Sequence, residues 1–178
     1  SQRMADDFEN FINKYRVDCI AVNDNQFFLQ QNRVREFCEE LIKRNLDIKW
    51  DNVAGNIRPL LKWDDEMREL MYRAGCRSMF VGAESGFQKA LDMIDKKLTV
   101  GEIIQFAEKS VKYNIRIIFS MMIGLPWGPD IDQTRKLVRE EFDSTLALTK
   151  KIVEISDRHR PSFTIYTPYP GTPLWDKA

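Results

Sequence analysis

Residues 79–86 read MFVGAESG, an apolar run that stops at Gly82 and is soon followed by a carboxylate and a hydroxyl side by side. The run predicts a buried β-strand that ends at this glycine. Glu84 and Ser85 then lie at the carboxyl end of the strand, where ligands bind in folds with parallel strands. The stretch raises one question for the whole chain, namely whether water solvates Glu84 or a ligand binds it.

Outward from this strand, short β-rich runs alternate with stretches of helical spacing. We predict five strands, at residues 17–22, 48–50, 77–81, 116–123 and 162–167. Apolar residues recur at i, i+3 and i+4 between them and predict helices, the longest at residues 134–157, while another helix covers residues 5–16. Gly75 predicts a helix end, and Thr99 with Glu102 fits a capping box. Strands separated by helices predict βαβ units and a parallel sheet.

Polar residues or glycines follow the predicted strands and therefore converge at one edge of the sheet. They are Asp24 and Asn25, then Asn56 and Arg58, then Glu84 and Ser85, and finally Gly124. Local interpretations of the same residues stay open at this point. Glu84 would be solvated, with Ser85 as the N-cap of the next helix. Asp24 would form a turn, and Gly124 would mark a plain transition from strand to loop.

The composition excludes some classes of partner. The 178 residues include 27 basic and 27 acidic side chains, so a net charge of zero gives no electrostatic argument for nucleic acid or an anionic membrane. The longest uncharged apolar run, residues 117–129, is shorter than the roughly 20 residues that a membrane-spanning helix needs. We therefore expect a cytoplasmic protein that binds neither nucleic acid nor membrane.

The ends of the chain carry an expectation too. It begins without an initiator methionine, ends shortly after a Pro-Gly-Thr-Pro turn, and places a helix before the first predicted strand. We expect residues 1–178 to be one domain from a longer protein, with the first strand of the sheet upstream. Without that strand, the strand at residues 17–22 has an exposed edge, and we expect the chain to dimerise or aggregate through it.

Cysteine and histidine usage predicts no metal site. Cys19, Cys38 and Cys76 have a spacing that matches no zinc, redox or iron–sulfur motif. Cys38 lies on the apolar face of a predicted helix and is expected in the core. The single histidine, His159, lies in a charged stretch at a predicted helix end and is expected to be exposed to solvent.

Taken in order, five stretches resemble the radical S-adenosylmethionine (SAM) enzymes. The strongest is AGCRSMFVGAESGFQKALDMIDKKLT, with Gly-x-Glu-Ser-Gly followed by Lys96 at the spacing of the family. The others are VNDNQFFLQQNRVREFCEEL, IKWDNVAGNIR, FSMMIGLP and YTPYPGTPLWD. Within the family the chain is most similar to the branch associated with cobalamin, which includes methyltransferases and the anaerobic magnesium-protoporphyrin ester cyclase. The resemblance covers nearly the whole chain.

The resemblance implies an α/β fold, a partial (β/α)6 barrel similar to a TIM barrel, in which our five strands are the second to the sixth. In the family a C-x-x-x-C-x-x-C loop after the first strand holds a 4Fe–4S cluster. This chain lacks the motif, so we expect residues 1–178 to be a core-domain fragment that is inactive alone. It also departs from the family at Trp127-Gly128-Pro129, where Gly-Glu-Thr is usual, and at Asn25, where aspartate is common.

For the full-length parent, the resemblance implies an enzyme whose cluster passes one electron to SAM. The products are methionine and a 5′-deoxyadenosyl radical, which abstracts a hydrogen from the substrate, while the protein positions these cofactors. The implied substrate is a small molecule, and methyl transfer or tetrapyrrole ring chemistry are the implied outcomes. Flavodoxin or ferredoxin would donate electrons, and a separate domain would bind cobalamin.

The resemblance also implies which residues hold the amino-acid end of SAM. Asp24 and Asn25 correspond to the positions that meet the amino group, and a carboxylate suits an ammonium. Asn56 and Arg58 correspond to positions near the methionine carboxylate, which an arginine binds through two parallel hydrogen bonds.

The remaining SAM contacts that the resemblance implies come from two other strands. Glu84 and Ser85 would hold the ribose or the methionine end. Ile123, Gly124 and Leu125 would pack on the adenine. The resemblance assigns no catalytic side chain and no metal ligand within this chain.

Two other classes of function remain open. A different α/β enzyme with a phosphorylated substrate would carry a glycine-rich phosphate loop, and none follows any predicted strand. A non-catalytic α/β scaffold or binding domain that kept the fold and lost its cluster is consistent with the missing cysteine motif.

Overall fold

Helices and strands alternate along the chain. The computed structural model describes residues 1–24, 27–172 and 175. Its strands are β1 (Cys19–Ala21), β2 (Lys49–Asp51), β3 (Val53–Gly55), β4 (Ser78–Glu84), β5 (Arg116–Ile123) and β6 (His159–Ile165). Its helices are α1 (Gln2–Tyr15), α2 (Gln31–Lys43), α3 (Ile57–Leu61), α4 (Asp65–Arg73), α5 (Gln88–Met93), α6 (Val100–Ser110) and α7 (Ile131–Ile155). None of the helices described is both long and apolar enough to cross a membrane.

All paired strands run parallel. β1 pairs with β2, and a second sheet has the order β3-β4-β5-β6. A bridge between Trp50 and Cys76 joins the two sheets. The break between β2 and β3 lies at Asn52, whose φ of 57° turns its amide toward the hydroxyl of Ser78 at 3.2 Å. The predicted fold class, an α/β partial barrel with parallel strands, is confirmed, and the second predicted strand, β2, is followed by a further short strand, β3.

Three helices end in the same backbone motif, which returns the chain toward the sheet. At the end of α4 the amides of Gly75 and Cys76 donate to carbonyl groups of the last helical turn, and Gly75 has a φ of 98°. This is the Schellman motif. α2 and α5 end in the same pattern, with Asn45 and Asp95 in the left-handed position. A Cβ on Gly75 would collide with the backbone of Ile48, so this position requires glycine.

The central strands bury one face and leave the other accessible. The buried residues of β4 and β5 pack against the outer helices and are Met79, Val81, Ala83, Ile117, Phe119 and Met121. The alternate residues face the inner side of the curved sheet and are only partly buried: Phe80, Gly82, Ile118, Ser120 and Met122. The sheet therefore has a helix-covered outer face and an accessible inner face.

An aromatic cluster fills the core beside β2. Trp50 lies 5.7 Å, between ring centroids, from both Phe27 and Phe37, and Phe8 of α1 meets Phe37 edge-on at 5.2 Å. The Trp50 indole is fully buried and donates to the carbonyl of Ala74 at 2.8 Å. Such ring pairs contribute about 0.5–1.5 kcal/mol each beyond the area that they bury. The cluster holds α1 and α2 against the short strands β1 and β2.

Several predicted boundaries are wrong. β4 continues to Glu84 rather than ending at residue 81, because Gly82 stays in register with Ser120 of β5. β3 was not predicted. β6 begins at His159 rather than residue 162 and contains Pro161, which an edge strand tolerates because one side of it carries no partner strand in the described part of the chain. α7 begins three residues earlier than predicted and ends at Ile155.

The prediction that His159 is exposed is also wrong. His159 opens β6 and is 1% exposed. Its Nε2 lies 3.0 Å from the carbonyl oxygen of Ala107 and donates to it, and its ring meets Phe119 edge-on. Nδ1 is buried without a hydrogen-bond partner among the described residues. Burial lowers the pKa of His159, opposed by the hydrogen bond to Ala107, so folding favours the neutral ring.

The histidine predicts a dependence of stability on pH. Because folding lowers the pKa of His159, the unfolded chain binds a proton that the folded chain excludes. The free energy of unfolding is expected to fall as the pH drops below about 6.5, by at most about 1.4 kcal/mol per pH unit for this group. Urea unfolding of the wild type and of His159→Gln between about pH 7.5 and about pH 5 measures this, since the chain has no other histidine. Identical slopes in both proteins would contradict the prediction.

Candidate functional site

Glu84 ends β4 in a strained backbone conformation. Its φ is 66°, in the left-handed region that costs a residue other than glycine about 1–3 kcal/mol. The register with β5 shifts between Gly82 and Glu84, which is a β-bulge. The amide of Ser85 donates to the carbonyl of Ala83 at 2.9 Å and closes a tight turn around Glu84. Strain of this kind is concentrated at functional sites, and its position at the carboxyl end of a strand favours ligand binding.

The carboxylate of Glu84 forms an ion pair with Lys96 over the inner face of the sheet. Oε1 accepts from Nζ at 2.7 Å, and about a fifth of each side chain is exposed. A Cβ on Gly82 would collide with Oε1 and lie 2.6 Å from Nζ, so Gly82 makes room for the pair. Within the described part of the chain, Oε2 of Glu84 accepts no hydrogen bond. The carboxylate therefore keeps one oxygen for a donor group of a ligand.

The end of α5 determines where Lys96 lies. The amide of Lys96 donates to the carbonyl of Leu91 at 2.9 Å, and the amide of Asp95 donates to that of Asp92 at 3.1 Å. These two bonds form a Schellman motif with Asp95 as its left-handed residue. The backbone therefore directs Lys96 toward β4 rather than leaving it in a solvated loop.

Ser85 and Gly86 contact α7 instead of the inner face. Ser85 is 1% exposed, and its hydroxyl lies 3.0 Å from the hydroxyl of Thr145 and accepts from the amide of Phe87. The amide of Gly86 donates to the same Thr145 hydroxyl at 3.0 Å. A Cβ on Gly86 would collide with the carbonyl of Ser144. The next helix begins with Phe87 as its N-cap, so the interpretation of Ser85 as a helix cap is wrong.

The predicted residues after β1 lie in a different part of the rim. Asp24 forms an ion pair with Arg33 of α2, with 3.6 Å between the charged atoms, and both side chains are partly exposed. Asn25 lies outside the described residues.

The predicted residues after β3 lie at the start of α3. Asn56 is exposed at the N-cap position and makes no capping hydrogen bond with its side chain. Arg58 donates to both oxygens of Glu102 in α6, at 2.9 and 3.2 Å. This fork, with the amide of Thr99, lowers the pKa of Glu102. A ligand carboxylate would compete with Glu102 for Arg58.

The loop after β5 presents backbone at the rim and buries its side chains. Ile123 ends the strand half-buried, and Gly124 is exposed with a φ of 85°, a conformation that favours glycine. Leu125 is 3% exposed. The indole of Trp127 donates to Glu141 of α7 at 3.0 Å. Glycine backbone is therefore the accessible part of the predicted adenine contact.

Comparisons of sequence identify relatives that are much longer than this chain. No protein-family model matches the chain. An uncharacterized methyltransferase of Pyrococcus horikoshii is 27% identical over 99% of the chain, and the anaerobic magnesium-protoporphyrin IX monomethyl ester cyclase of Rubrivivax gelatinosus is 23% identical over the same share. The chain spans only 35% and 29% of the length of these relatives.

Comparison of structures is more specific about the architecture. The radical SAM methyltransferase TsrM of Kitasatospora setae, solved with cobalamin and a 4Fe–4S cluster bound, matches 96% of the chain and 32% of its own length, with a TM-score of 0.67 and 16% identity. The fold is that of the radical SAM enzymes. The resemblance predicted from the sequence is confirmed by these relatives and neighbours.

The described residues do not fit the iron–sulfur cluster of a radical SAM enzyme. Cys38, as predicted, and Cys76 are fully buried, whereas Cys19 is exposed. Burial raises the pKa of Cys38 to about 12 and that of Cys76 well above its usual value, which disfavours the thiolates that bind metals. Among residues 1–24, 27–172 and 175, no group of three or more His, Cys, Asp or Glu side chains is placed to hold a metal ion.

The fold places three side chains at the candidate site that the sequence analysis did not assign to it, namely Lys96, Thr145 and Glu141. The sequence pointed to Lys96 only through its spacing from Glu84. Its contact with Glu84 could not be predicted, because it depends on the left-handed backbone of Asp95, which no sequence pattern indicates. Thr145 and Glu141 lie on the buried face of α7 with Leu148 and Ile152, at the spacing i, i+4, i+7 and i+11. That periodicity is present in the sequence, and polar residues within it indicate buried polar contacts.

Two glycines of the candidate site are expected to differ in how strongly alanine at each position destabilises the fold. Gly82→Ala displaces only the flexible ends of Glu84 and Lys96, so the free energy of unfolding is expected to change by less than about 1 kcal/mol. Gly86→Ala pushes against the backbone of α7 and is expected to cost more than about 2 kcal/mol.

Urea unfolding of the two variants, measured beside the wild type, tests this pair of predictions. Each variant is the control for the other, because both add one methyl group close to Glu84. Equal destabilisation by both substitutions would mean that the ion pair over Gly82 is not free to move.

Proposed function

We propose that the chain is the SAM-binding core of a radical SAM enzyme that modifies a small molecule. The observation that carries the proposal is the Glu84–Lys96 pair, held in a strained turn at the carboxyl end of β4 and open on the inner face of the sheet. The relatives are named as a methyltransferase and a tetrapyrrole cyclase, which favours methyl transfer or tetrapyrrole ring chemistry as the outcome. A cytoplasmic location stays a prediction.

Glu84 is proposed to bind SAM rather than to transfer a proton. SAM offers an ammonium group and two ribose hydroxyls, all of which donate hydrogen bonds, and a charged acceptor strengthens such bonds. Oε2 is available for one of these donors while Oε1 stays on Lys96. Lys96 then orients the carboxylate, and Ser85 supports it from behind by holding the turn on α7.

The other proposed contacts surround Glu84 at the ends of neighbouring strands. Asp24 and Asn25 would meet the amino group of SAM, and Asn56 and Arg58 its carboxylate. To bind that carboxylate, Arg58 would have to divide its hydrogen bonds between SAM and Glu102 or break those to Glu102, which accepts two of them in this structure. The adenine would lie against the backbone at Gly124, beside two further predicted contacts, Ile123 and Leu125.

The cofactors that accompany SAM are proposed for the parent protein. In the parent, a 4Fe–4S cluster would supply the reducing electron for SAM, and a donor such as flavodoxin or ferredoxin would reduce the cluster. The cysteine motif for that cluster is absent from this chain, so its ligands would be supplied from elsewhere in the parent, and cobalamin would bind on a separate domain. Edge pairing of the isolated chain through β1, which pairs only with β2 in the described structure, stays a prediction.

A non-catalytic scaffold with the same fold is the second candidate. It is favoured by one observation, the absence of a cluster-binding cysteine set among the described residues. Such a protein would keep the fold and show no reductive cleavage of SAM.

The test is a reconstitution of the full-length protein that carries this chain. With iron, sulfide and dithionite under anaerobic conditions, it is expected to release 5′-deoxyadenosine from SAM. Glu84→Gln removes the charge with little change of shape and is expected to raise the KM for SAM by about tenfold or more, the loss of one charge-assisted hydrogen bond. The matched control is Glu140→Gln, which makes the same change in a partly exposed carboxylate of α7 that is paired with Lys136, and it should leave the KM unchanged.

Three results separate the candidates. Product from the wild type with a raised KM in Glu84→Gln alone supports the proposal. Equal KM values in Glu84→Gln and the wild type would remove Glu84 from the SAM site. A folded full-length protein that assembles no cluster and releases no 5′-deoxyadenosine would favour the scaffold.

A further inference from the structure

We propose that Glu141 of α7 is a positioning residue that sets the conformation of the loop after β5, residues 124–127, for ligand binding. The inference rests on the proposed function, because it takes this loop as one wall of the SAM site. It concerns a side chain that neither the sequence nor the comparisons assign a role.

Glu141 is a carboxylate in a position where α7 otherwise packs apolar side chains. It is 0% exposed, on the same helix face as Leu148 and Ile152. Burial raises the pKa of Glu141, opposed by the Trp127 indole and the amides of Leu125 and Gly124. An unpaired polar group in such a place is unfavourable, whereas a well-packed apolar residue of similar size avoids the cost of desolvation. A specific contact must therefore offset the burial of this carboxylate.

Among the described residues, the hydrogen-bond donors near Glu141 come from the loop after β5. Oε2 accepts from the Trp127 indole at 3.0 Å, and the amides of Gly124 and Leu125 approach the carboxylate. The fully buried Oε1 has no further hydrogen bond to any described residue. The loop has no regular secondary structure of its own, so these donors link it to a rigid helix.

Trp127 extends the link to the segment after β4. Its ring meets Phe87 edge-on with 5.6 Å between centroids, and Phe87 directly follows Gly86. One helical turn beyond Glu141, Thr145 holds Ser85 and Gly86. Two buried polar residues of α7, four positions apart, therefore hold the two segments that flank Glu84 and Gly124. A shift of either segment would move the rim at the carboxyl ends of β4 and β5.

This contact lies where the sequence departs from the resembled family. Where the resembled family usually has Gly-Glu-Thr after Gly-x-Pro, this chain has Trp127-Gly128-Pro129 and thus lacks an acidic residue within the loop. In this structure the carboxylate comes from α7 and the loop provides the indole donor. The loop is also fastened at its far end, where the hydroxyl of Thr134 donates to the carbonyl of Gly128 at 2.9 Å.

The experiment compares Glu141→Gln with Glu140→Gln in two measurements. Glu140 is the neighbouring carboxylate on α7, partly exposed and 4.0 Å from Lys136, so its variant removes the same charge without touching the loop. The first measurement is the indole N–H resonance of Trp127 in ¹H–¹⁵N spectra of the chain, identified by its loss in Trp127→Phe. The second is the KM and kcat for SAM of the reconstituted full-length protein.

Glu141→Gln is expected to shift the Trp127 indole resonance upfield, because a neutral amide accepts a weaker hydrogen bond than a carboxylate. It should raise the KM for SAM by about tenfold and change kcat much less, since the loop positions the cofactor and takes no part in the chemistry. Glu140→Gln should leave both unchanged. Urea unfolding of both variants verifies that a raised KM does not come from loss of the fold.

Other outcomes would overturn the inference. An indole resonance that does not move in Glu141→Gln would show that the carboxylate does not hold Trp127. A shifted resonance with an unchanged KM would show that the loop does not shape the SAM site. A wild-type protein that fails to bind SAM would contradict the proposed function. The shift of the Trp127 indole resonance in Glu141→Gln would still show whether Glu141 holds the loop.

Discussion

The contact between α7 and the turn after β4 is the constraint on which the site depends. A left-handed backbone at Glu84 costs about 1–3 kcal/mol and persists only where neighbouring contacts hold it. Thr145 supplies them through its hydroxyl, which meets the Ser85 hydroxyl and the Gly86 amide. Gly86 permits this because it has no side chain to separate the turn from the backbone of α7. The conformation of Glu84 is thus stabilised on the outer side of the sheet, away from the face where its carboxylate lies.

The two faces of the sheet differ in how their polar groups are stabilised. On the outer face, helices cover apolar side chains, and the polar groups buried there, such as His159 and Glu141, are held by specific hydrogen bonds. On the inner face, the Glu84–Lys96 pair is about a fifth exposed, so water can solvate the second carboxylate oxygen. An ion pair in this intermediate environment avoids the full desolvation cost of a buried one. The same exposure keeps it available for binding.

The parts of the fold that local patterns determine could be predicted, and those set by distant contacts could not. The strand at residues 116–123 and the capping box of Thr99 are confirmed, because both depend on residues adjacent in sequence. β3 was missed because Asn52 interrupts its strand through a bond to the distant Ser78. His159 was misjudged because charged neighbours suggested a surface, whereas its position in β6 turns its side chain toward Phe119. For the site, the position of Glu84 at the end of a strand could be inferred, but its contact with Lys96 could not.

The polar side chains of the rim differ in what they can still bind. The hydroxyl of Ser85 is hydrogen-bonded to Thr145 of α7, and the guanidinium of Arg58 is paired with Glu102. Each of these contacts must break before the side chain can bind a ligand. Glu84 differs, because only one of its carboxylate oxygens accepts a hydrogen bond in the described structure. The contacts of Ser85 and Gly86 with Thr145 offset the strain in its backbone. A solvated surface glutamate would need neither the glycine that makes room beneath its ion pair nor a buried anchor behind its turn. These features support the proposal that Glu84 binds a ligand.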